Sequence, residues 1–327
     1  MLTRRDVLYR IGAAGVSALA LRTAAFAAAD TVKTAVNFDI PAGACDCHVH
    51  VFGNPATFPF AANRVYTPPE ASIQMLSDLH QALRMQRVVV VTPSVYGTDN
   101  SCTLDAVRQI GASARAVAVI DQTTSREDLV RMDAAGVRGV RLNLETGGTS
   151  DPAVAKAILA SAVEKITPFN WHVQLYSKLS IIAALKDQLA QLPIPVVFDH
   201  FGAAKAALGP NQPGYEVILE LVKSGRAYVK ISGAYRISDH GPDFSDATAM
   251  AQALVAANSE RIVWGTDWPH PNPPNMPRRP VSEITPPAAI DDGLLLNQLA
   301  KWVPDAGVRK KILVDNPARL YGFQGIG

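Results

Sequence analysis

The chain has 327 residues, of which 48% are hydrophobic and 18% charged, a length that suits two domains or one α/β barrel. The formal net charge is +2, and residues 1–27 contribute +3 of it through four arginines and one aspartate. The rest of the chain is therefore near −1, and this charge gives no indication of a nucleic-acid-binding surface. The three cysteines, Cys45, Cys47 and Cys102, are too few for a disulfide scaffold, and we expect them to pack in the interior.

The N-terminal residues have the pattern of a twin-arginine export signal. Thr3-Arg4-Arg5-Asp6 carries the arginine pair, an alanine-rich apolar run follows, and Ala25-Phe26-Ala27 matches a cleavage site. Because the apolar run is short and contains Arg22, we favour cleavage over retention as a membrane anchor. We therefore expect a signal peptide over residues 1–27, a mature domain over residues 28–327, and a periplasmic protein without a stable membrane anchor.

The first predicted strand covers residues 45–51 and contains the sequence Asp46-Cys47-His48-Val49-His50. Alternate side chains of a regular strand share a face, so we expect Asp46, His48 and His50 on one side of the strand. Two imidazoles at this spacing can converge on a metal ion or on a substrate oxygen. A pair of purely structural histidines would give the same pattern, so the other strands must decide.

Seven further strand-helix units follow at regular spacing. The predicted strands are residues 45–51, 88–92, 116–121, 139–143, 173–176, 196–200, 227–232 and 262–266. A helix candidate follows each strand, and helices near residues 291–302 and 305–321 end the chain. Eight such units predict an α/β fold, a single-domain (β/α)8 TIM barrel. A doubly wound open sheet usually has a glycine-rich phosphate turn after its first strand, and this chain has none.

Polar side chains that suit catalysis follow most of the predicted strands. In a (β/α)8 barrel the active site lies at the C-terminal ends of the strands. The residues at those ends are His48, His50, Ser94, Arg141, Tyr176, His200 and Asp267. Each has a structural alternative, such as a salt bridge from Arg141 to Asp199 or Glu145, but their joint placement predicts one active site. Residues 268–290 hold eight prolines and should form a stiff loop over the barrel mouth.

Several stretches together resemble the amidohydrolase superfamily, and most closely its branch of 2-pyrone-4,6-dicarboxylate lactonases. They are Asp46 to Gly53, Gly97 to Asn100, Gly139 to Asn143, Asp199-His200, Trp264 to Pro271 and Asn316 to Tyr321. The resemblance covers nearly all of residues 40–323. The stretch Trp264-Gly265-Thr266-Asp267-Trp268-Pro269-His270-Pro271 is its most specific part.

The resemblance implies a hydrolase that opens a small carboxylated or sulfonated lactone. By that likeness Asp267 is the general base, acting on water or on an attacking hydroxyl. The histidines His48, His50 and His200 would polarise the lactone carbonyl and stabilise the oxyanion. Arg141 would hold a substrate carboxylate through paired hydrogen bonds. The other substrate-binding positions implied are Tyr66, Ser94, Tyr176 and, as a second anion clamp after strand seven, Arg236.

The chain departs from that branch after the fourth strand. The dicarboxylate lactonases carry a second basic residue shortly after the strand-four arginine, whereas this chain has Glu145-Thr146-Gly147-Gly148-Thr149. We therefore expect one carboxylate contact to be missing. The candidate substrates are 2-pyrone-4,6-dicarboxylate, a sulfomuconolactone, a muconolactone and a sugar-acid lactone.

The resemblance also bears on cofactors. Binuclear members of the superfamily use a strand-four lysine and a strand-five histidine, where this chain has Arg141 and Tyr176. His172 lies at the start of the fifth strand, which is the wrong end for a ligand. We therefore expect no required metal. A single Zn²⁺ could still be bound by His48, His50, His200 and Asp267.

Three alternative functions stay open at this point. A zinc-dependent decarboxylase of the aminocarboxymuconate semialdehyde type shares the His-x-His sequence, but it normally needs a strand-five histidine in place of Tyr176. A sugar-acid lactone isomerase would use the same residues with a substrate hydroxyl in place of water. A non-catalytic periplasmic binder would keep the barrel without the chemistry, and the joint presence of three histidines and Asp267 argues against it.

Overall fold

The computed structural model describes residues 32–146, 148–274 and 276–324 and contains one sheet of eight parallel strands, each paired with the next along the chain. The strands are β1 (Cys45–Val49), β2 (Arg87–Val91), β3 (Ala114–Ala118), β4 (Val137–Asn143), β5 (His172–Tyr176), β6 (Val196–Phe198), β7 (Ala227–Ser232) and β8 (Ile262–Gly265). The predicted eight-stranded barrel is confirmed. The predicted signal peptide lies outside the described residues.

The sheet closes on itself where β8 meets β1. The Asp267 backbone N–H donates to the His48 carbonyl at 2.9 Å, and the His50 N–H donates to the Trp268 carbonyl at 2.8 Å. Val49 and Trp268 form a parallel bridge at the same place. The last residues of the barrel are therefore fixed directly against the His-x-His sequence of the first strand.

Helices cover the outside of the barrel. They are α1 (Ile73–Leu83), α2 (Ser101–Ile110), α3 (Arg126–Ala134), α4 (Pro152–Ile166), α5 (Leu179–Ala184), α6 (Lys186–Ala190), α7 (Tyr215–Lys223), α8 (Thr248–Asn258), α9 (Asp292–Trp302), α10 (Ala306–Lys310) and α11 (Asn316–Tyr321). A capping box of Ser125 and Asp128 begins α3. A π-helical turn, Lys311–Asp315, joins α10 to α11. None of the described helices is long and apolar enough to cross a membrane.

Two apolar layers hold these elements together. The larger lies between the strands and the helices. The smaller fills the barrel interior with Cys45, Cys47, Val89, Val91, Val117, Val197, Tyr228 and Val263, and Tyr321 and Phe323 belong to it as well. The three cysteines are buried and free, as predicted. His172, the first residue of β5, packs its ring edge-on against Tyr321 with ring centroids 5.3 Å apart. This contact lies at the N-terminal end of the barrel, remote from the C-terminal ends of the strands.

A β-bulge in β1 changes which residues share a face. Asp46 pairs with Val88 and Val49 pairs with Val90, so one extra residue is inserted in β1 between the two pairs. The prediction that Asp46 shares a face with the two histidines is therefore wrong. Its carboxylate accepts hydrogen bonds from Thr266, and His80 of α1 lies 3.4 Å from it on the outer side of the barrel.

The third strand begins and ends earlier than predicted. It pairs with β2 from Ala114 onward and stops at Ala118, whereas the sequence predicted residues 116–121. The strand stops because the Asn100 side chain forms hydrogen bonds with the backbone of Val119, the residue after β3. Asn100 Oδ1 accepts from the Val119 N–H, and its Nδ2 donates to the Val119 carbonyl, each at 2.8 Å. The Asn100 side chain makes no capping hydrogen bond at the start of α2 and instead links the ends of β2 and β3.

Candidate active site

Four buried side chains meet at the C-terminal end of the barrel: His48, His50, His200 and Asp267. The Asp267 Oδ1 atom lies 3.7, 3.7 and 3.9 Å from the Nε2 atoms of the three imidazoles in that order. The residues come from the first strand, the end of β6 and the end of β8. The structure thus brings the predicted catalytic residues together around one carboxylate oxygen.

The other carboxylate oxygen of Asp267 is held by two donors from the segment after β7. Tyr235 Oη donates to Oδ2 at 2.7 Å and Arg236 Nε donates to it at 2.5 Å. Burial alone would raise the pKa of Asp267, but the Arg236 guanidinium holds it below its usual value. Asp267 is therefore an ionised carboxylate with one oxygen anchored and one facing the histidines.

Gly233 makes room for this arrangement. It has a positive φ of 56°, and a Cβ atom there would lie 2.8 Å from His200 Nδ1 and 3.0 Å from Asp267 Oδ2. A larger residue would push apart the base and one imidazole. The sequence Ser232-Gly233 after an apolar strand is the signal for this close approach.

The three imidazoles are neutral in this setting. Burial lowers the pKa of His50 to about 3 and the pKa of His200 to about 4. Burial and the neighbouring Lys230 ammonium likewise hold the pKa of His48 well below its usual value. The Nδ1 atom of His50 lies 2.7 Å from the Val91 carbonyl, and that of His200 lies 3.0 Å from Ser232 Oγ. Each ring is thus oriented by a partner on the strands.

Sequence reasoning missed Lys230, which lies fully buried in the barrel beneath the histidines. Its Nζ contacts the Cys47 carbonyl at 2.9 Å, Gln174 Oε1 at 2.7 Å and His48 Nδ1 at 3.3 Å. Burial lowers the pKa of Lys230 to about 8. The available signal was a lysine in the middle of the apolar strand Ala227–Ser232, at an alternating position that faces the barrel interior.

A narrow cavity lies above the cluster at the barrel mouth. It is lined by His50, Tyr66, Pro93, Ser94, Arg141, Asn143, Thr146, Tyr176, Arg236, Pro271 and Asn272. All five residues predicted to bind substrate are in this set. Pro271 and Asn272 belong to the proline-rich segment, which thus reaches the mouth as predicted.

Arg141 is bound to Asp199 on one side and lines the cavity on the other. Its Nε donates to Asp199 Oδ2 at 2.9 Å, and its guanidinium lies 5.4 Å from the Tyr176 ring centroid. Gln174 Nε2 donates to the same carboxylate oxygen at 3.0 Å. The salt bridge considered as a structural alternative therefore exists, and it positions the terminal guanidinium nitrogens toward the cavity that Arg141 lines.

Arg236 lines the cavity, but two of its three guanidinium nitrogens have protein partners. Besides Asp267, its guanidinium contacts the Pro271 carbonyl through Nη2 at 2.9 Å. Two of its nitrogens are thus used to hold the carboxylate and the proline-rich segment. Its first function in this structure is to fix the base, and it has less capacity left for a ligand anion than Arg141.

The chain lacks the second basic residue that the dicarboxylate lactonases carry after strand four, and neutral groups occupy this region. Asn143 Nδ2 donates to Thr146 Oγ1 at 3.0 Å, and the Thr146 N–H donates to Asn143 Oδ1 at 2.9 Å. Both residues line the cavity. The two side chains satisfy each other, so this wall offers polar but uncharged contacts.

The donor set at the cluster fits a single metal ion. Ligand atoms of His48, His200 and Asp267 lie within 4.8 Å of one another, and His48 Nε2 and Asp267 Oδ1 are buried without a hydrogen-bond partner. Nitrogen and oxygen donors at this spacing suit zinc. Arg141 lies near the end of β4 and Tyr176 is the last residue of β5, so these positions do not provide the lysine and histidine that a second metal would need.

Comparisons with known proteins find similar sequences and structures over most of the chain. The sequence profile of the amidohydrolase family matches residues 45–323. A 4-sulfomuconolactone hydrolase of Rhizobium radiobacter is 35% identical over 293 residues, which cover 88% of this chain and 92% of that protein. A D-galactarolactone isomerase of Agrobacterium fabrum is 30% identical over 290 residues, which cover 88% and 94%. A crystal structure of a probable 2-pyrone-4,6-dicarboxylic acid hydrolase from Acinetobacter baumannii, with citric acid bound, aligns with a TM-score of 0.71 at 28% identity, covering 86% of this chain and 100% of that one.

Proposed function

This chain belongs to the amidohydrolase family, and on that premise we propose that it hydrolyses a small lactone bearing a carboxylate or sulfonate group. The observation that carries the proposal is a buried, ionised Asp267 with one oxygen facing three neutral imidazoles, beneath a cavity lined by arginine. A relative with 35% identity is named for hydrolysis of a sulfonated lactone, which supports the substrate class.

The chemistry assigns each group one task. Asp267 Oδ1 takes a proton from water as the water oxygen forms a bond to the lactone carbonyl carbon. The carbonyl electron pair moves onto oxygen, where imidazole donors stabilise the negative charge. The ring C–O bond then breaks, and the leaving alkoxide takes the proton back from Asp267. The products are a hydroxyl and a carboxylic acid on an opened chain, and Asp267 is ionised again. The carboxylic acid then releases its remaining proton to solvent and becomes a carboxylate.

Arg141 provides the anion contact. Its Nε is fixed by Asp199 at 2.9 Å, so its terminal nitrogens are preorganised toward the cavity. Asn143 and Thr146 make the adjoining wall uncharged. The substrate therefore places its one obligatory anionic group at Arg141 and an uncharged or polar part of the ring against this adjoining wall.

Turnover does not require a metal in this proposal. Zinc held by His48, His200 and Asp267, with His50 beside them, would act as a Lewis acid on the carbonyl. The residues described above already provide a base, a charged anion contact and neutral hydrogen-bonding imidazoles. The absence of the strand-four lysine and strand-five histidine also weakens the decarboxylase alternative, since Arg141 and Tyr176 occupy those strand ends.

Lactone isomerisation is the second candidate. The same base could deprotonate a hydroxyl of the substrate, which then attacks the carbonyl in place of water. The 30% identity to D-galactarolactone isomerase supports this alternative. Reaction in ¹⁸O-labelled water separates the two, because hydrolysis adds one labelled oxygen to the product and isomerisation adds none.

The proposal is tested by a substrate screen with the mature chain, produced from about residue 28. Carboxylated, sulfonated and uncharged lactones of matched ring size are followed by ultraviolet absorbance and proton release, with and without chelator. We expect turnover of at least one anionic lactone, unchanged by chelation. Turnover confined to uncharged lactones, or lost with a stoichiometric zinc ion, would contradict the proposal.

A further inference from the structure

We propose that Lys230 is a positioning residue that keeps the proton of His48 on Nε2, and so makes His48 the hydrogen-bond donor to the oxyanion. The inference deepens the proposed function and rests on it for the identity of the oxyanion. The tautomer itself, however, can be measured without any substrate. The proposal rests on the hydrogen bonds that the buried Lys230 ammonium makes.

The ammonium group of Lys230 has three hydrogens and no lone pair. Its Nζ lies 2.9 Å from the Cys47 carbonyl oxygen and 2.7 Å from Gln174 Oε1, and both of these atoms are acceptors. The Gln174 amide is oriented unambiguously, because its Nε2 donates to Asp199 Oδ2. Two hydrogens are thus assigned, and the third has His48 Nδ1 as its partner at 3.3 Å.

A nitrogen that accepts a hydrogen bond must have a free lone pair. If His48 Nδ1 accepts from the Lys230 ammonium, the proton of the neutral ring is on Nε2. That Nε2 lies 3.7 Å from Asp267 Oδ1 and has no partner in the described structure. An N–H there points into the space above the base, where the reacting carbonyl oxygen would be placed.

One competing arrangement involves Asp199. Its Oδ1 also lies 3.3 Å from His48 Nδ1, and a proton on Nδ1 could be donated to it. The contact from Lys230 Nζ to His48 Nδ1 has hydrogen-bond geometry, at the same 3.3 Å as the contact from Asp199 Oδ1. The same oxygen lies 3.8 Å from Lys230 Nζ, so the ammonium stabilises the carboxylate charge without a proton from His48.

The neighbouring histidine has the opposite arrangement. His50 Nδ1 lies 2.7 Å from the Val91 carbonyl oxygen, which can only accept, so His50 has its proton on Nδ1 and a lone pair on Nε2. Two histidines that are two residues apart therefore present a donor and an acceptor. A water molecule between His50 Nε2 and Asp267 Oδ1, which are 3.7 Å apart, could donate one hydrogen to each.

The donor on His48 and the acceptor on His50 determine where the carbonyl oxygen and the water bind. The water is held by two acceptors, with its oxygen lone pair free for attack on the carbonyl carbon. The carbonyl oxygen receives the His48 Nε2–H, and donors preorganised in this way are the main source of oxyanion stabilisation in enzymes. Lys230 touches neither the water nor the substrate, and it acts through the imidazole.

The test is a long-range ¹H–¹⁵N spectrum of the histidine-labelled mature chain at neutral pH, without substrate. The chain has seven histidines, and the His48 signals are assigned by their loss in His48→Gln. We expect a protonated Nε2 and an unprotonated Nδ1 at His48, with the reverse at His50. A protonated Nδ1 at His48 in the parent chain would overturn the proposal, whatever the variants do.

The variant Lys230→Met then tests whether Lys230 determines the position of the His48 proton. We expect the His48 proton to move to Nδ1, where Asp199 accepts it, and kcat on the substrate to fall at least about 10-fold, with KM within about 3-fold. Ser232→Ala is the matched control, because Ser232 is on the same strand but contacts His200, and its His48 signals should not change. A moved proton with unchanged kcat would overturn the donor role. If no lactone is turned over at all, the proposed function fails while the tautomer result still stands.

Discussion

At the scale of single residues, the site depends on burial combined with pairing. Asp267 keeps its charge because Arg236 and Tyr235 hold one oxygen, while burial keeps the imidazoles neutral. The sequence located Asp267, Arg236 and the three histidines, since each lies near or just after the C-terminal end of a strand, but it did not indicate Tyr235. It did not reveal Lys230, nor that Arg236 holds Asp267, because both facts depend on which strands become neighbours across the barrel.

The first residue-scale prediction concerns pH. Above the lowered pKa values of His200 (about 4) and His50 (about 3), both rings are neutral, and Asp267 with its lowered pKa is ionised. We therefore expect kcat/KM to be flat between about pH 5 and 7 and to fall only in more acidic buffer. A falling limb near about pH 6.5, the value of an ordinary histidine, would show that a titrating imidazole controls the reaction.

The second residue-scale prediction concerns Arg141→Gln. A hydrogen bond to a charged group contributes about 1.5–3 kcal/mol, so kcat/KM for an anionic lactone should fall by about 10- to 100-fold. An uncharged lactone of the same ring size should lose much less. Arg138→Gln is the control, because Arg138 is on the same strand but pairs with Asp133 away from the cavity. Equal losses on both lactones would remove Arg141 as the anion contact.

At the scale of elements, the junction of β1 and β8 builds the site. The bulge in β1 places Asp46 outside the barrel, where it accepts from the Thr266 N–H at 3.0 Å and from Thr266 Oγ1 at 2.7 Å. This contact fixes the residue just before Asp267. Regular alternation predicted the wrong face for Asp46, because a bulge has no clear signature in a single sequence.

The element-scale prediction is that Thr266→Val destabilises the fold. The variant keeps the shape of the side chain but leaves buried Asp46 Oδ2 without its closest donor, at a cost of about 1–3 kcal/mol in the free energy of unfolding. Chemical denaturation measures this difference. Thr57→Val, in the exposed loop after β1, should change stability by less than about 0.5 kcal/mol. Equal stability of the two variants would mean that this contact does not hold the junction.

At the scale of the whole molecule, the barrel could be predicted because its signal is repeated. Eight apolar strands with helices between them leave few alternatives, and Val88 to Val91 or Ala227 to Ser232 mark their strands clearly. Boundaries were less certain, as at β3, where the Asn100 side chain ends the strand by capturing the backbone of Val119. The cavity walls depend on long loops, whose course no periodic pattern predicts.

We also propose, from the sequence pattern alone, that residues 1–27 direct export by the twin-arginine route. Replacement of both Arg4 and Arg5 by lysine should retain the chain in the cytoplasm with its N-terminus uncleaved, since the pathway recognises the arginine pair. Fractionation followed by N-terminal sequencing measures this. Export that is equal in parent and variant would contradict the proposal.

The most direct test of the whole account is the turnover number of Asp267→Asn on the best anionic lactone from the screen. The change removes the ionised base and keeps its size, so kcat should fall by about 10²- to 10⁴-fold. The control Asp78→Asn changes an exposed carboxylate on α1 and should turn over like the parent. A large loss in Asp267→Asn alone is the result we predict, and a variant that opens the lactone as fast as the parent would contradict the central role of Asp267.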